Sequence, residues 1–252
     1  MENNDKIGKL GKPSLIFGPG QKRRFNLVKR YIDLKDKKIL DVGCGVGVYT
    51  ERFSEEGKEV YGIDIDPERI KSAQKLAPKA HFLVAGAENL PFSDNFFDIV
   101  FLHEILEHVH NDKKAVLESL RVLKPQGQII IFVPNRLYFF ETHGIYLSKK
   151  YIYQLIPFVN WLPKIIRNFF CPHVRVYSKR ELKNLFKELN PVGIPEYKVE
   201  FLVIDYIYPA LDKFSKRHPA LGKILRKLFD FAERNWLLSH FGISIFAIIK
   251  KI

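Results

Sequence analysis

Apolar and polar positions along this chain keep two alternating rhythms. Short, unbroken apolar runs are each followed by a stretch whose apolar residues recur three and four positions apart, the mark of a helix with one buried face. The runs Lys38–Val42, Glu59–Asp64, Ala80–Val84, Phe97–Leu102 and Gln128–Val133 read as buried strands. Val48–Glu56, Pro67–Leu76 and Asp112–Leu123 read as the helices between them, with Asp66 as an N-cap, Pro67 at the first helical position and Pro125 as a stop. Ahead of the first strand, Gln21–Leu34 places Phe25, Leu27, Val28, Tyr31 and Ile32 on one helix face. Strands alternating with helices predict an α/β fold with a doubly wound parallel sheet, in which ligands bind at the carboxyl ends of the strands.

The rhythm changes after Asn135. Residues 136–177 are rich in Tyr, Phe, Ile and Leu with interspersed Lys and Arg, and they read as a helical insertion of one or two amphipathic helices. Ser178-Lys179-Arg180-Glu181 has the pattern of a capping box, opening a helix with Leu182, Leu185, Phe186 and Leu189 on its face. Glu196–Tyr208 has strand character, residues 209–240 form a second helical insertion centred on Leu221–Trp236, and Gly242–Ile249 closes the chain as a strand. Residues 1–20 form a basic, glycine- and proline-rich arm ahead of the helix. The whole, 1–252, is expected to be a single domain.

Chemistry enters at the ends of the first two strands. Asp41 is followed by glycines at 43, 45 and 47, with Cys44 between them. Glycines allow a tight turn and let a ligand approach the main chain. The spacing is Gly-x-Gly-x-Gly, not the Gly-x-Gly-x-x-Gly of dinucleotide sites, whose helix N-terminus is aimed at a pyrophosphate. A ligand without phosphate, such as S-adenosylmethionine, is better matched by an acid at the strand end facing its amino-acid part. Asp64 ends the second strand, where a carboxylate can accept hydrogen bonds from both ribose hydroxyls, and Ile65 beside it offers an apolar face to adenine. Taken singly, each feature also fits a plain structural turn.

Four segments together resemble the class I S-adenosylmethionine-dependent methyltransferases of the type 11 and type 12 small-molecule group. They are Ile39–Gly47, Tyr61–Ile65, Ala87–Asp98 and Leu123–Gln128, in order and at the family's spacing. The resemblance implies a Rossmann-like, doubly wound, seven-stranded, mostly parallel sheet. It implies S-adenosylmethionine as cofactor, held by Asp41, Gly43, Cys44, Gly45, Gly47, Tyr49, Asp64, Ile65, Ala87, Glu88, Leu102 and His103. One departure stands out. The family often has an acid just before Ala87 to bind the adenine amino group, and here that position is Gly86.

After the fourth strand comes His103-Glu104-Ile105-Leu106-Glu107-His108. His103 is a candidate general base, or else a polar lining residue. Glu104, Glu107 and His108 stand at i, i+3 and i+4, which on a helix would share one face. The segment Glu104–Val109 is similar to that of ubiquinone-pathway O-methyltransferases, where the matching residues are proposed to hold a divalent metal ion. The alternative is a hydrogen-bonded cluster that fixes the loop. Neither Asn/Asp-Pro-Pro-aromatic, typical of adenine amino-methylation, nor a well-placed nucleophilic cysteine is present, since Cys44 lies in the cofactor turn and Cys171 ends the insertion.

Composition adds bounds. With 46% hydrophobic residues the chain is globular. No apolar run approaches the length of a spanning helix, the N-terminus lacks a secretory pattern, and Cys44 and Cys171 make no disulfide framework, so a cytoplasmic protein is expected. The net charge of +13 attracts anionic partners. The aromatic, basic insertion is expected to cover a small-molecule or isoprenoid, lipid-type acceptor, and such a surface also suits peripheral contact with an acidic membrane or a homodimer interface. Methyl transfer to oxygen of such an acceptor is the leading reading. RNA or protein methylation, suggested only by charge, and a non-catalytic, membrane-associated cofactor-binding protein stand as alternatives.

Overall fold

The computed structural model describes residues 15–148, 150–153, 155–189, 197–204, 217–234 and 238–252. Its centre is a sheet of the order β10-β11-β5-β4-β1-β2-β3. The strands are β1 (Lys38–Val42), β2 (Glu59–Asp64), β3 (His81–Val84), β4 (Phe97–His103), β5 (Leu123–Pro134), β10 (Tyr197–Ile204) and β11 (Ser244–Lys251). β1 pairs in parallel with β2 and β4, β2 with β3, and β4 with β5. The order reverses between β1 and β4, the switch point where ligands bind in open α/β sheets. The strands follow from their apolar runs: Ile39, Leu40, Val42, Ile63, Val100, Phe101, Leu102 and Ile129 to Val133 are sealed from solvent on a sheet covered on both faces.

The helices Val48–Glu56 and Pro67–Leu76 match their sequence patterns, and the Asp66 carboxylate accepts from the Glu68 amide as an N-cap. The first helix starts earlier than its apolar face suggests, at Pro19 inside the expected arm, because proline is favoured where an amide has no partner. The helix Asp112–Val122 is capped by Asn111, and Lys179–Leu189 buries Leu182, Leu185, Phe186 and Leu189. In place of a bare turn, Lys124 to Gly127 lies inside β5, where Gln126 takes a positive φ of 64° and the register with β4 shifts. Lys251 ties the last strand down: its ammonium donates to Asn95 Oδ1 and to the carbonyls of Leu120 and Leu123 at 2.6–2.9 Å.

Where one domain is expected, the described residues pack as two compact units. One holds Pro13–Phe132, Arg180–Phe201 and Ala247–Ile252; the other holds Val133–Lys179 and Leu202–Phe246. The second has its own core of Ile145, Val159, Cys171 and Val174. Residues 136–177 are not mainly helical. They form two small antiparallel pairs, β6 (Phe140–Glu141) with β9 (Ile156–Pro157) and β7 (Ile145–Leu147) with β8 (Lys150–Ile152), then a short turn of 3₁₀-helix and one short helix, Lys164–Phe170. Pro157, Pro163 and Pro172 break any long helix, and Gly144, Ser148 and Phe158 take left-handed turns. Of the second expected insertion, Pro219–Arg234 is helical; residues 209–216 and 235–237, like residues 1–14 of the arm, lie outside the described residues.

A buried ion pair organises this second unit. Arg167, 2% exposed, donates to Glu141 Oε2 at 2.6 Å, to the Val174 carbonyl at 2.8 Å and to Asn160 Oδ1 at 3.2 Å. Burial alone would raise the Glu141 carboxyl, but the His143 hydrogen bonds and the Arg167 charge outweigh it and hold it down at about 2. Removing one partner leaves an uncompensated buried charge. Arg167→Met is therefore expected to destabilise this unit by about 3–5 kcal/mol. The check is amide exchange of residues 140–175, which should lose protection while residues 38–42 keep theirs.

Candidate functional site

The cofactor turn is built by the backbone. Gly43, Gly45 and Gly47 have φ of 72°, 55° and 86°, a region that residues with a Cβ rarely enter. Two of them also leave no room. A Cβ at Gly43 would sit 2.6 Å from Ile105 Cδ1, and one at Gly47 would sit 2.9 Å from the Ala73 Cβ. The turn is therefore packed from two sides, by the segment after β4 and by the helix Pro67–Leu76.

Asp64 holds this turn. Its Oδ2 accepts from the Gly45 amide at 3.0 Å and its Oδ1 from the Asp66 amide at 2.9 Å, while Arg69 Nη1 lies 3.9 Å away. Asp41 lies beneath, accepting from the Thr50 hydroxyl at 2.6 Å. Burial pushes the Asp41 carboxyl up to about 7, against the Thr50 hydrogen bond and with the charge of Asp64 adding to the rise. Cys44 is a structural thiol: burial raises its pKa, and it points at the Gly45 carbonyl. Beside buried Asp64, Ile65 stands 55% exposed, and a Cβ on Gly86 would only touch it at 3.5 Å. An acid and an exposed apolar side chain at the end of β2 fit the ribose and adenine of S-adenosylmethionine. Ala87 is buried, and the Glu88 carboxylate accepts from the Asn111 amide, so Glu88 anchors the start of the helix Asp112–Val122.

At the end of β4, alternation decides what faces out. Leu102 is wholly buried between β1 and β5, so it packs beneath the site and has no surface to offer a ligand. His103 is part-exposed. Its ring packs 4.6 Å from the ring of Tyr49, whose hydroxyl is 3.3 Å from His103 Nε2. Tyr49 is thus directed at His103. The residue that pattern reading missed is Arg24, on the helix Pro19–Tyr31. Its Nη1 donates to His103 Nε2 and to Glu104 Oε1, both at 2.8 Å, and its guanidinium lies 5.3 Å from the centre of the Phe132 ring. The only signal was a positive charge on a part-buried helix, next to buried Phe25. Burial, with the Arg24 cation pushing the same way, lowers the His103 pKa to about 3. In this arrangement the imidazole is neutral and its Nε2 accepts from Arg24.

The helical face expected for Glu104, Glu107 and His108 does not form. Glu104 takes φ 53°, a left-handed value costly for a residue with a side chain, and residues 104–110 run as turns. The Glu104 amide donates to the Phe132 carbonyl at 2.9 Å, which pins the bend. The turn nonetheless brings the same groups together. Glu107 is buried near Glu104; burial and the Glu104 charge raise its pKa well above the usual carboxylate range. A Glu107 oxygen and a His108 ring nitrogen lie within 4.8 Å of each other.

A Rossmann-like sheet with an acid-anchored glycine turn at its switch point defines a nucleoside-cofactor protein, and comparison with known proteins makes this specific. Residues 40–131 match the methyltransferase domain family. The chain is 29% identical over 144 residues to a demethylmenaquinone methyltransferase of Renibacterium salmoninarum, covering 56% of this chain and 60% of that one. It is 29% identical over 187 residues to a ubiquinone biosynthesis O-methyltransferase of Rickettsia canadensis, covering 71% of each. An S-adenosylmethionine-dependent methyltransferase from Mesorhizobium loti shares the fold, with a TM-score of 0.60 at 14% identity over 90% of this chain and 96% of that one. These similarities support a class I S-adenosylmethionine-dependent methyltransferase, with the methyltransferase domain itself at residues 40–131. The chain spans between 30% and 60% of the length of four of the curated relatives it matches.

Asp64→Ala removes the anchor of the turn and the acid expected at the ribose. It is expected to weaken S-adenosylmethionine binding tenfold or more, on the order of one lost charged hydrogen-bond pair. Calorimetric titration checks this, and unchanged affinity would sink the assignment.

Proposed function

We propose that the protein transfers the methyl group of S-adenosylmethionine to an oxygen of a small, lipid-like acceptor of quinol or phenol type. The observation that carries the cofactor half is the Asp64 carboxylate bound to the Gly45 amide beside exposed Ile65. The acceptor half is supported by the relatives of the quinone pathways and by the Arg24, His103 and Glu104 cluster at the end of β4. S-adenosylmethionine supplies an electrophilic methyl on a sulfonium. The protein's main work in such a displacement is alignment, worth up to roughly 7–11 kcal/mol. Asp41 and Asp64 hold the donor's polar ends, and the closely packed glycine turn limits its position.

The proton of the acceptor oxygen is the second task. A phenol ionises near pKa 10 in water, and a nearby cation favours its anion. We assign that effect to Arg24, with Tyr49 and His103 positioning the guanidinium. His103 acts here as a neutral acceptor; the phenolic oxygen gives its proton to solvent before the transfer, and the Arg24 charge favours the ionised form that attacks the methyl group. Arg24→Ala should lower kcat/KM for a phenolic acceptor by roughly a hundredfold, in line with loss of an electrostatic stabiliser, and move the rising limb of the pH–rate profile to higher pH. Arg24→Lys should recover part of the rate, since it keeps the charge and loses the fork. If His103→Ala alone reproduces both effects while Arg24→Ala leaves the profile in place, His103 is the base after all.

The acid cluster favours a second reading of the same loop. Glu107 and His108 offer a hard oxygen and a nitrogen donor within 4.8 Å of each other, suited to a divalent cation that would orient an acceptor carrying two oxygens, with Glu104 as the third expected ligand. Glu107 and His108 would hold it, with Glu104 exchanging Arg24 for the ion. On this reading, chelator-treated protein gains melting temperature on addition of Mg²⁺ or Mn²⁺, and Glu107→Gln and His108→Ala lose that gain. No shift in the wild-type protein rejects the metal.

A further inference from the structure

The short helix Lys164–Phe170 is inside out. A surface helix normally turns its charged residues to water and its apolar residues inward. Here Arg167 is the residue that is buried, drawn in by Glu141, Asn160 and the Val174 carbonyl. Ile165 is 88% exposed and Phe169, four residues on and on the same face, is 73% exposed; Ile166 is exposed beside them. The ion pair fixes the helix in this orientation, so the apolar face is held outward.

The face does not stand alone. Just ahead of the helix, the rings of Phe139, Phe158 and Trp161 pack against one another with centroids 4.2–5.7 Å apart, and all three remain exposed. The Trp161 indole N–H donates to the Leu137 carbonyl, which holds the ring in place. Preformed, exposed aromatic and aliphatic side chains of this extent mark an interaction surface.

Charge decides between occupants. No Asp or Glu occurs between Glu141 and Glu181, whereas Lys149, Lys150, Lys164, Arg175, Lys179 and Arg180 do, besides the paired Arg167. A second copy docking by its own equivalent face would bring like charges together across a two-fold axis. An anionic lipid surface satisfies both halves: the apolar side chains enter the acyl boundary, and the cations meet the headgroups. We propose that the outward face of the helix Lys164–Phe170, with the Phe139, Phe158 and Trp161 cluster, docks this protein on an anionic bilayer surface. Among the described residues no helix is long and apolar enough to cross a membrane, so the contact would be peripheral.

The test is co-sedimentation of the full chain with vesicles of phosphatidylcholine alone, or of phosphatidylcholine with phosphatidylglycerol, at low and high salt. Binding is expected only with phosphatidylglycerol, weakening as salt rises. Ile165→Ser with Phe169→Ser should reduce it at least about tenfold, since two buried apolar side chains are lost, and Lys164→Glu should reduce it further. These residues are exposed, so the double variant should keep the wild-type melting temperature and S-adenosylmethionine affinity. The proposal is overturned if the wild-type chain ignores anionic vesicles, if the double variant binds as well as wild type, or if both vesicle types bind equally. A concentration-dependent dimer that Ile165→Ser with Phe169→Ser dissolves, without vesicle binding, would assign the face to a second copy instead.

Discussion

The site of this protein rests on one buried carboxylate. Asp64 joins the end of β2 to the turn after β1 by accepting from the Gly45 amide, and it stiffens its own turn by accepting from the Asp66 amide. A buried acid must be satisfied or it costs more than it contributes. Here its hydrogen bonds are spent on two backbone amides that no helix or ladder employs. The left-handed glycines and the packing of Ala73 against Gly47 accompany this arrangement, and the Asp64 charge adds to the rise that burial gives the Asp41 carboxyl. The same acid that builds the turn is the one that the ribose would meet, so structure and binding are hard to separate at this position.

Around the end of β4, binding and strain meet in a second cluster. Glu104 is held in a left-handed conformation by the Phe132 carbonyl and by Arg24. Backbone strain of this kind persists only where surrounding contacts over-determine it, and it gathers at functional positions. Ile105, the next residue, fills the space over Gly43 that a Cβ would need. The glycine turn and the segment after β4 therefore restrain each other, and a change in one would be felt in the other.

The unit formed by Val133–Lys179 and Leu202–Phe246 shows a different economy. A buried ion pair contributes little to stability relative to an apolar core, but it can dictate which way an element faces. Arg167 does this for the helix Lys164–Phe170. With the charge committed inward, the apolar residues are left outside, and a short helix with no long apolar run presents an exposed apolar face.

The strands β1 to β5, the helices between them and the placing of Asp41 and Asp64 at the ends of the first two strands, beside a glycine turn, could be read from sequence, because local periodicity and local spacing decide them. Buried parallel strands are continuous apolar runs, and cofactor acids sit at strand ends whatever the rest of the chain does. Arg24 could not be read this way. It lies far along the chain from His103 and Glu104, and only the packing of the first helix brings its guanidinium to them. The Glu104–His108 spacing suggested a helix, but a backbone bend stabilised by Phe132, on another strand, overrode it. Prolines and left-handed turns keep the insertion from being mainly helical, and within it the long-range pairing of Arg167 with Glu141 decides which face of Lys164–Phe170 is buried. Sequence determined the cofactor and the frame that holds it; tertiary structure alone decided which charges meet and which apolar faces stay exposed, because those depend on contacts between residues that no local pattern connects.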